Sequence, residues 1–225
     1  MVVIDDFDTR IQYSEGWDEE RSDQFNAVGT SGPPLYYTMH SITGSGSLRF
    51  DFVGAYTSKA CWSHSTGCVG TAAILSGMSI GLGFDSQDHR WVCYVDNANI
   101  PSPPPPPHGA HENQWTLCQI SGLADGPHTL TVDITTSRRF YFDYLRYTPS
   151  PSASTGNEVV WIPNTDDDLR FDTSWRELQP TGNITVTQAA AFSFEFIGKS
   201  GIFFIWAREV TFFRDESRVV WHAPP

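Results

Sequence analysis

The chain has 225 residues, 40% of them hydrophobic, 14% aromatic and 18% charged, with a formal charge of −12. That is enough apolar material for one large domain or two modest ones, and an aromatic, Gly- and Pro-rich mix suits strands and turns over helices. The acidic balance repels phosphate backbones and argues against a nucleic-acid partner, and the longest uncharged stretch, 60–84, is too rich in Gly, Ser and Thr to read as a membrane span.

The opening Met1–Asp6 is too short and acidic for a signal peptide. Acids follow at Asp5, Asp6, Asp8, Glu15, Asp18, Glu19 and Glu20 on loop-like sequence and read as solvated. Ser31-Gly32-Pro33-Pro34 carries turn chemistry, and Tyr36 and Tyr37 stand beside it. Exposed aromatic faces stack on sugars, so these two are candidate ligand contacts, with Asn113 and Trp115 further along. Leu48, Phe50 and Phe52 alternate with polar residues, as on a half-buried strand. Residues 55–77, with Cys61 and Cys68, read as a loop insertion.

Trp91–Val95 reads as a strand, and Pro101–Pro107 as an extended surface loop ending near His108 and His111. After the turn at Ala124-Asp125-Gly126-Pro127 comes a second alternating set, Leu130, Val132 and Ile134. Phe140–Tyr147 is apolar on both faces, as a central strand is, and Asp143 in its middle needs a partner if buried. Residues 149–157 read as a linker closing a first domain of 1–148.

An internal repeat crosses that linker. Ile11–Trp17 resembles Leu169–Trp175, and Ser47–Gly54 resembles Ala191–Gly198, in the same order. The second copy, 158–206, lacks a counterpart of Trp91–Tyr147, and 207–225 matches nothing in the first copy, so an irregular tail is expected. Asn183-Ile184-Thr185 is an N-glycosylation sequon. The sequence contains no HExxH or P-loop motif, and the reading is non-catalytic. Four cysteines without a CxxC spacing fit disulfides better than zinc; without a leader the thiols stay reduced, and with one upstream they pair.

Several blocks together resemble the ectodomains of fungal, mushroom-type surface proteins. They are Ile4-Asp5-Asp6 with Ile11-Gln12-Tyr13 and Trp17, Trp91–Asn97, Glu112–Cys118, Gly122–Leu130 and Phe140–Tyr147. Those ectodomains are galactose-binding-like jelly rolls, often in tandem, ahead of a Ser/Thr-rich stalk and one transmembrane helix. The resemblance implies an all-β antiparallel sandwich, followed by an incomplete second copy, at the cell surface or outside the cell. It implies a Cys93–Cys118 disulfide; Cys61 and Cys68 form a short-loop pair or stay free. It also implies a structural calcium held by Asp143 with Asp5 or Asp6 and no other cofactor, the alternative for Asp143 being a hydrogen bond to Arg146 or a backbone amide. The expected function is a carbohydrate- or cell-wall-binding module; the alternative is a structural or sensor ectodomain without a small ligand.

Overall fold

The computed structural model describes residues 1–21, 23–25, 28, 33–54, 71–79, 89–100, 112–151, 153, 158–162, 166, 169–178, 182–185, 191–195, 211–215 and 218–222. Cys61, Cys68, the proline run, His108 and His111 lie outside them. The fold is all-β and antiparallel, and the chain divides into two compact units, Met1–Trp161 and Ile162–Pro225.

In the first unit the strands are β1 (Val2–Asp5), β2 (Gln12–Tyr13), β3 (Trp17–Glu20), β4 (Met39–Gly54), β5 (Thr71–Ser79), β6 (His89–Val95), β7 (Ala98–Ile100), β8 (Glu112–Ser121), β9 (Gly126–Tyr147) and β10 (Val159–Val160). The organising element is β9. One of its edges carries β4 and then β1; the other carries β6 and then β5. A strand of 22 residues cannot stay flat, since strands twist. Register slips against β4 between Ile42 and Gly44, and against β5 between Ser76 and Gly77. Bulges of this kind bend a strand, and the sheet curls into two facing layers.

The core follows from the alternation. Leu48, Phe50 and Phe52 of β4 and Leu130, Val132 and Ile134 of β9 are buried together with Val2, Ile4, Leu145 and Tyr147. Leu48 pairs with Val132 and Phe50 with Leu130, so the two alternating sets lie side by side on one face. Cys93 of β6 and Cys118 of β8 are joined by a disulfide, their Cα atoms 6.4 Å apart. A two-residue turn joins β6 to β7, with Asp96 and Asn97 both at positive φ (51° and 67°), the geometry that matches strand twist in a tight hairpin.

Three boundaries differ from the sequence expectation. Residues 71–77, read as part of an insertion, form most of β5, which lies between β8 and β9. Their Gly, Ser and Ala content hides the strand because small residues show no alternation, yet small residues are what the site requires. A Cβ on Gly77 would overlap the Tyr141 carbonyl oxygen and come within 2.8 Å of Leu117 Cδ1. Gly77→Ala is therefore expected to cost about 2 kcal/mol by overpacking. A urea titration giving wild-type stability would show that β5 and β9 are not in such close approach.

The second difference is the domain boundary. Val159 and Val160, expected to open the second copy, pair with Val3 and Val2 and extend the first unit's sheet. Met1 also exchanges hydrogen bonds with Trp161: the amino terminus donates to the Trp161 carbonyl at 3.0 Å, and Trp161 N–H donates back at 2.6 Å.

The third is the tail. The second unit contains β11 (Leu169–Phe171), β12 (Trp175–Leu178), β13 (Gly182–Thr185), β14 (Ala191–Glu195), β15 (Thr211–Asp215) and β16 (Arg218–His222). Asn183 sits in β13 opposite Glu177. The sheet order β11-β14-β16-β15 repeats the β2-β4-β9-β6 order of the first unit. The register repeats as well. Gln12 pairs with Arg49 and Tyr13 with Leu48; their counterparts Arg170 and Phe171 pair with Ser193 and Phe192. Tyr13 packs on Trp17 with ring centres 5.0 Å apart, and Phe171 packs on Trp175 at 5.3 Å. Residues 211–215 and 218–222 thus supply strands in the places of β6 and β9, where an irregular tail was expected. Their sequence bears no likeness to β6 and β9 because a strand needs only extended backbone and a compatible face to fill that position.

Candidate functional site

Along one edge of β9 the partner changes from β4, which starts at Met39, to β1, which ends at Asp5. Asp143 lies at this seam. β5 pairs Gly77 with Phe142 and Ser76 with Tyr144, stepping over Asp143 as the extra residue of a bulge. The bulge reverses which face points inward: Phe140 and Phe142 before it and Leu145 and Tyr147 after it all join the core. It also places the carboxyl of Asp143 inside, fully buried.

Three carboxyl groups meet here, because the end of β1 delivers Asp5 and Asp6 to the same seam. Asp143 Oδ1 accepts the Leu35 N–H at 3.0 Å, and its Oδ2 has no hydrogen-bond partner among the described residues. The partner is thus a backbone amide; the Arg146 guanidinium lies over the Tyr144 and Trp161 rings instead. Burial drives the Asp143 pKa well above the usual carboxylate range; the Leu35 N–H opposes this, and the charges of Asp6 and Asp5 add to it. Asp5 is pushed up to about 7, by burial first and then by the charge of Asp6. The Asp6 pKa is also raised by burial, against the pull of His40 and Thr38.

Asp6 is fully engaged. Thr38 donates its hydroxyl to Oδ1 at 2.8 Å, and His40 Nδ1 donates to Oδ2 at 2.7 Å. The His40 ring is stacked on Tyr13 at 4.4 Å, and the Tyr13 hydroxyl donates to the Asp6 carbonyl at 2.7 Å. With Asp6 used in this way, two carboxylate oxygens remain, Asp5 Oδ1 and Asp143 Oδ2. Calcium takes six to eight oxygens, and among the described residues no group of three metal-ligating side chains is arranged to hold an ion. A calcium at Asp5, Asp6 and Asp143 would find these two carboxylate oxygens open to it and would need its remaining ligands from backbone carbonyls and water.

Above this cluster runs a single 3-10 turn, Leu35–Tyr37, tied down by Leu35. Tyr36 and Tyr37 have φ of 50° and 63°, a left-handed conformation that costs side-chain-bearing residues about 1–3 kcal/mol each. Both rings are exposed, at 42% and 59%. Tyr36 and Leu35 line a cleft of about 230 Å³ with Asp5, Asp8, Arg10 and Glu158. Arg10 binds both acids: Nε and Nη2 donate to Asp8 at 2.9 and 2.7 Å, and Nη1 and Nη2 donate to Glu158 at 2.7 and 3.0 Å. The Arg10 hydrogen bond holds the Asp8 pKa below its ordinary value.

The other two ligand candidates point elsewhere. Asn113 is buried, and its side-chain amide donates to the Phe25 carbonyl at 2.6 Å. Trp115 is partly buried and packs on the core. Asn113 and Gln114, which donates to the Pro33 carbonyl at 3.0 Å, hold the segment that leads to Tyr36. Sequence reading missed Asp8, Arg10 and Glu158 as one unit, because Arg10 and Glu158 lie 148 positions apart. The pairing of Asp8 and Arg10 two residues apart was the available signal. It also missed Thr38 and His40, which nothing local connects to Asp6.

No protein-family model and no curated protein matches the chain. Among solved structures, the crystal structure of the Agl-KA catalytic domain is similar at 11% identity and a TM-score of 0.35, over 76% of this chain and 31% of that one. So distant a likeness bears on neither activity nor ligand.

Proposed function

We propose that the chain is a non-catalytic carbohydrate-binding β-sandwich module of a secreted or surface-exposed protein, with its binding site at the cleft beside Tyr36. The observation that carries this reading is the turn itself. Two tyrosines are held exposed in a strained backbone conformation, directly above a buried acid cluster and beside a polar cleft. Strain of this kind persists where the surrounding structure enforces it, and functional sites are where it concentrates. An exposed aromatic face next to fixed carboxylates is the combination a sugar needs: the ring takes the apolar C–H face, and the carboxylates accept hydroxyl hydrogens. The buried Cys93–Cys118 disulfide accords with an oxidising compartment, and among the described residues no helix is long and apolar enough to cross a membrane. The resemblance to tandem surface ectodomains points the same way.

A glycan array of fungal and plant cell-wall polysaccharides, followed by calorimetry, tests the reading. Binding is expected for the wild type, with about a tenfold loss in Tyr36→Ala from removal of one stacking face. Failure to bind any glycan on the array would favour a structural or sensor ectodomain instead.

A further inference from the structure

The cleft beside Tyr36 does not end at Arg10. The other side of the same arginine walls a second, larger groove of about 510 Å³, whose lining includes Asp51, Phe52, Asp96, His128 and Tyr147. We propose that the two form one continuous groove that takes a linear, neutral oligosaccharide, Tyr36 holding one end and the Phe52–Tyr147 floor holding the other. This deepens the carbohydrate-binding reading and rests on it.

Size is the first argument. Small-molecule sites run about 300–1,000 Å³; the Tyr36 cleft alone falls below that range, and the joined groove lies within it.

Surface chemistry is the second. The base of the second groove is apolar. The core side chains Phe52 and Tyr147, ring centres 5.1 Å apart, reach it by their edges, and Val53 beside them is exposed. The rim is a fixed polar ladder. Asp51 accepts the Thr129 hydroxyl at 2.6 Å and Arg49 Nη2 at 3.1 Å. Asp96 accepts the Thr129 N–H at 2.9 Å and His128 Nδ1 at 2.7 Å. His128 Nε2 in turn meets the Ala124 carbonyl at 2.8 Å. An apolar floor under an immobilised polar rim suits a sugar chain, whose rings present C–H faces and whose edges present hydroxyls.

Charge decides which sugar. Asp5, Asp8 and Glu158 wall one end, and Asp51 and Asp96 the other. Against these stand Arg10, Arg49 and His128. Arg10 uses four donor contacts on Asp8 and Glu158, Arg49 is turned to Asp51, and His128 to Asp96. Arg49 reaches Asp51 through Nη2 alone, but acidic groups outnumber cationic ones around the groove, so an anionic chain would meet net repulsion. The remaining carboxylate lone pairs are acceptors, and a neutral polyol supplies the donors.

Calorimetry on the full chain with cello-, laminari- and manno-oligosaccharides of one to six units tests the proposal. For at least one series, affinity is expected to rise about tenfold or more from the disaccharide to the hexasaccharide. Asp51→Ala should flatten that rise, so that the hexasaccharide binds no better than the disaccharide; Tyr36→Ala should weaken every length alike. Equal affinity from two to six units, or a hexasaccharide indifferent to Asp51→Ala, overturns the continuous groove while leaving the Tyr36 site standing. Tighter binding of an oligogalacturonate than of neutral chains overturns the neutral assignment. Failure of every oligosaccharide at every length removes the carbohydrate-binding reading itself.

Discussion

Replacing Cys93 and Cys118 together with alanine is expected to cost the first unit about 3 kcal/mol, the value for a bond that closes a loop of this length. The two cysteines are 25 residues apart in sequence, and both are buried in the core. Their strands do not hydrogen-bond to each other: β6 pairs with β7 and β9, and β8 with β5. The disulfide therefore crosses between layers that the backbone ladder leaves unlinked at that point. A polar contact makes the same crossing: Trp91 Nε1 donates to the Leu117 carbonyl at 3.0 Å. At roughly 2–4 °C per kcal/mol for a unit of this size, the melting temperature should fall by about 6–12 °C. Paired thermal and guanidinium melts of the wild type and the double variant measure it. A loss under 1 kcal/mol would mean that the layers hold together without the bond.

The second large effect concerns Asp143. Asp143→Ala removes the acceptor of the Leu35 N–H and leaves a void in a fully buried site, and should cost about 3 kcal/mol. It should also loosen the Tyr36–Tyr37 turn and weaken glycan binding. Asp143→Asn keeps an acceptor for Leu35 and is expected to lie within about 1 kcal/mol of wild type at pH 5. The contrast between the two variants separates loss of the hydrogen bond from loss of the acid.

The same cluster sets a pH dependence with a definite sign. Asp5 in the folded chain is raised to about 7 from an ordinary 3.8, and Asp143 is raised as well. Between those values the folded chain holds protons that the unfolded chain has released, so stability falls as pH rises. The contribution is complete below the unfolded value and is lost as pH climbs through about 7. His128, raised by Asp96 and the Ala124 carbonyl in spite of its burial, acts in the same direction. Asp8, Asp51 and Asp96 are lowered and act oppositely, but only in acid, as pH falls through their folded values. Melting temperature should therefore decline from pH 5 to pH 8, and Asp143→Asn should make that decline shallower. A wild-type profile that is flat or rising over this window would show that the cluster is ionised in the folded chain.

Much of this was legible in the residues. The alternation of Leu48, Phe50 and Phe52, and of Leu130, Val132 and Ile134, marked two strands whose apolar faces share one core. The apolar run Phe140–Tyr147 marked the strand with partners on both edges. The likeness of Ile11–Trp17 to Leu169–Trp175 anticipated a repeated pairing register. Asp143 stood out as an acid in an apolar strand, and Tyr36 and Tyr37 as aromatics beside a turn. What stayed hidden was long-range. β5 mixes small residues with Ile74, Leu75 and Met78 without a period, and its place next to β9 follows from the room that Gly77 leaves for the Tyr141 carbonyl.

Side-chain period and turn chemistry, which are local properties, determined that this chain forms antiparallel strands, where its strongest strands lie and that its halves are related. The tertiary structure alone decided what Asp5, Asp6, Asp8, Arg10 and Glu158 do. An acid in a list of acids carries no sign of whether water, an arginine 148 residues from its other partner, or a neighbouring buried carboxyl will face it. Only the curl of β9, which brings the end of β1 and the start of β4 to one seam, makes that choice.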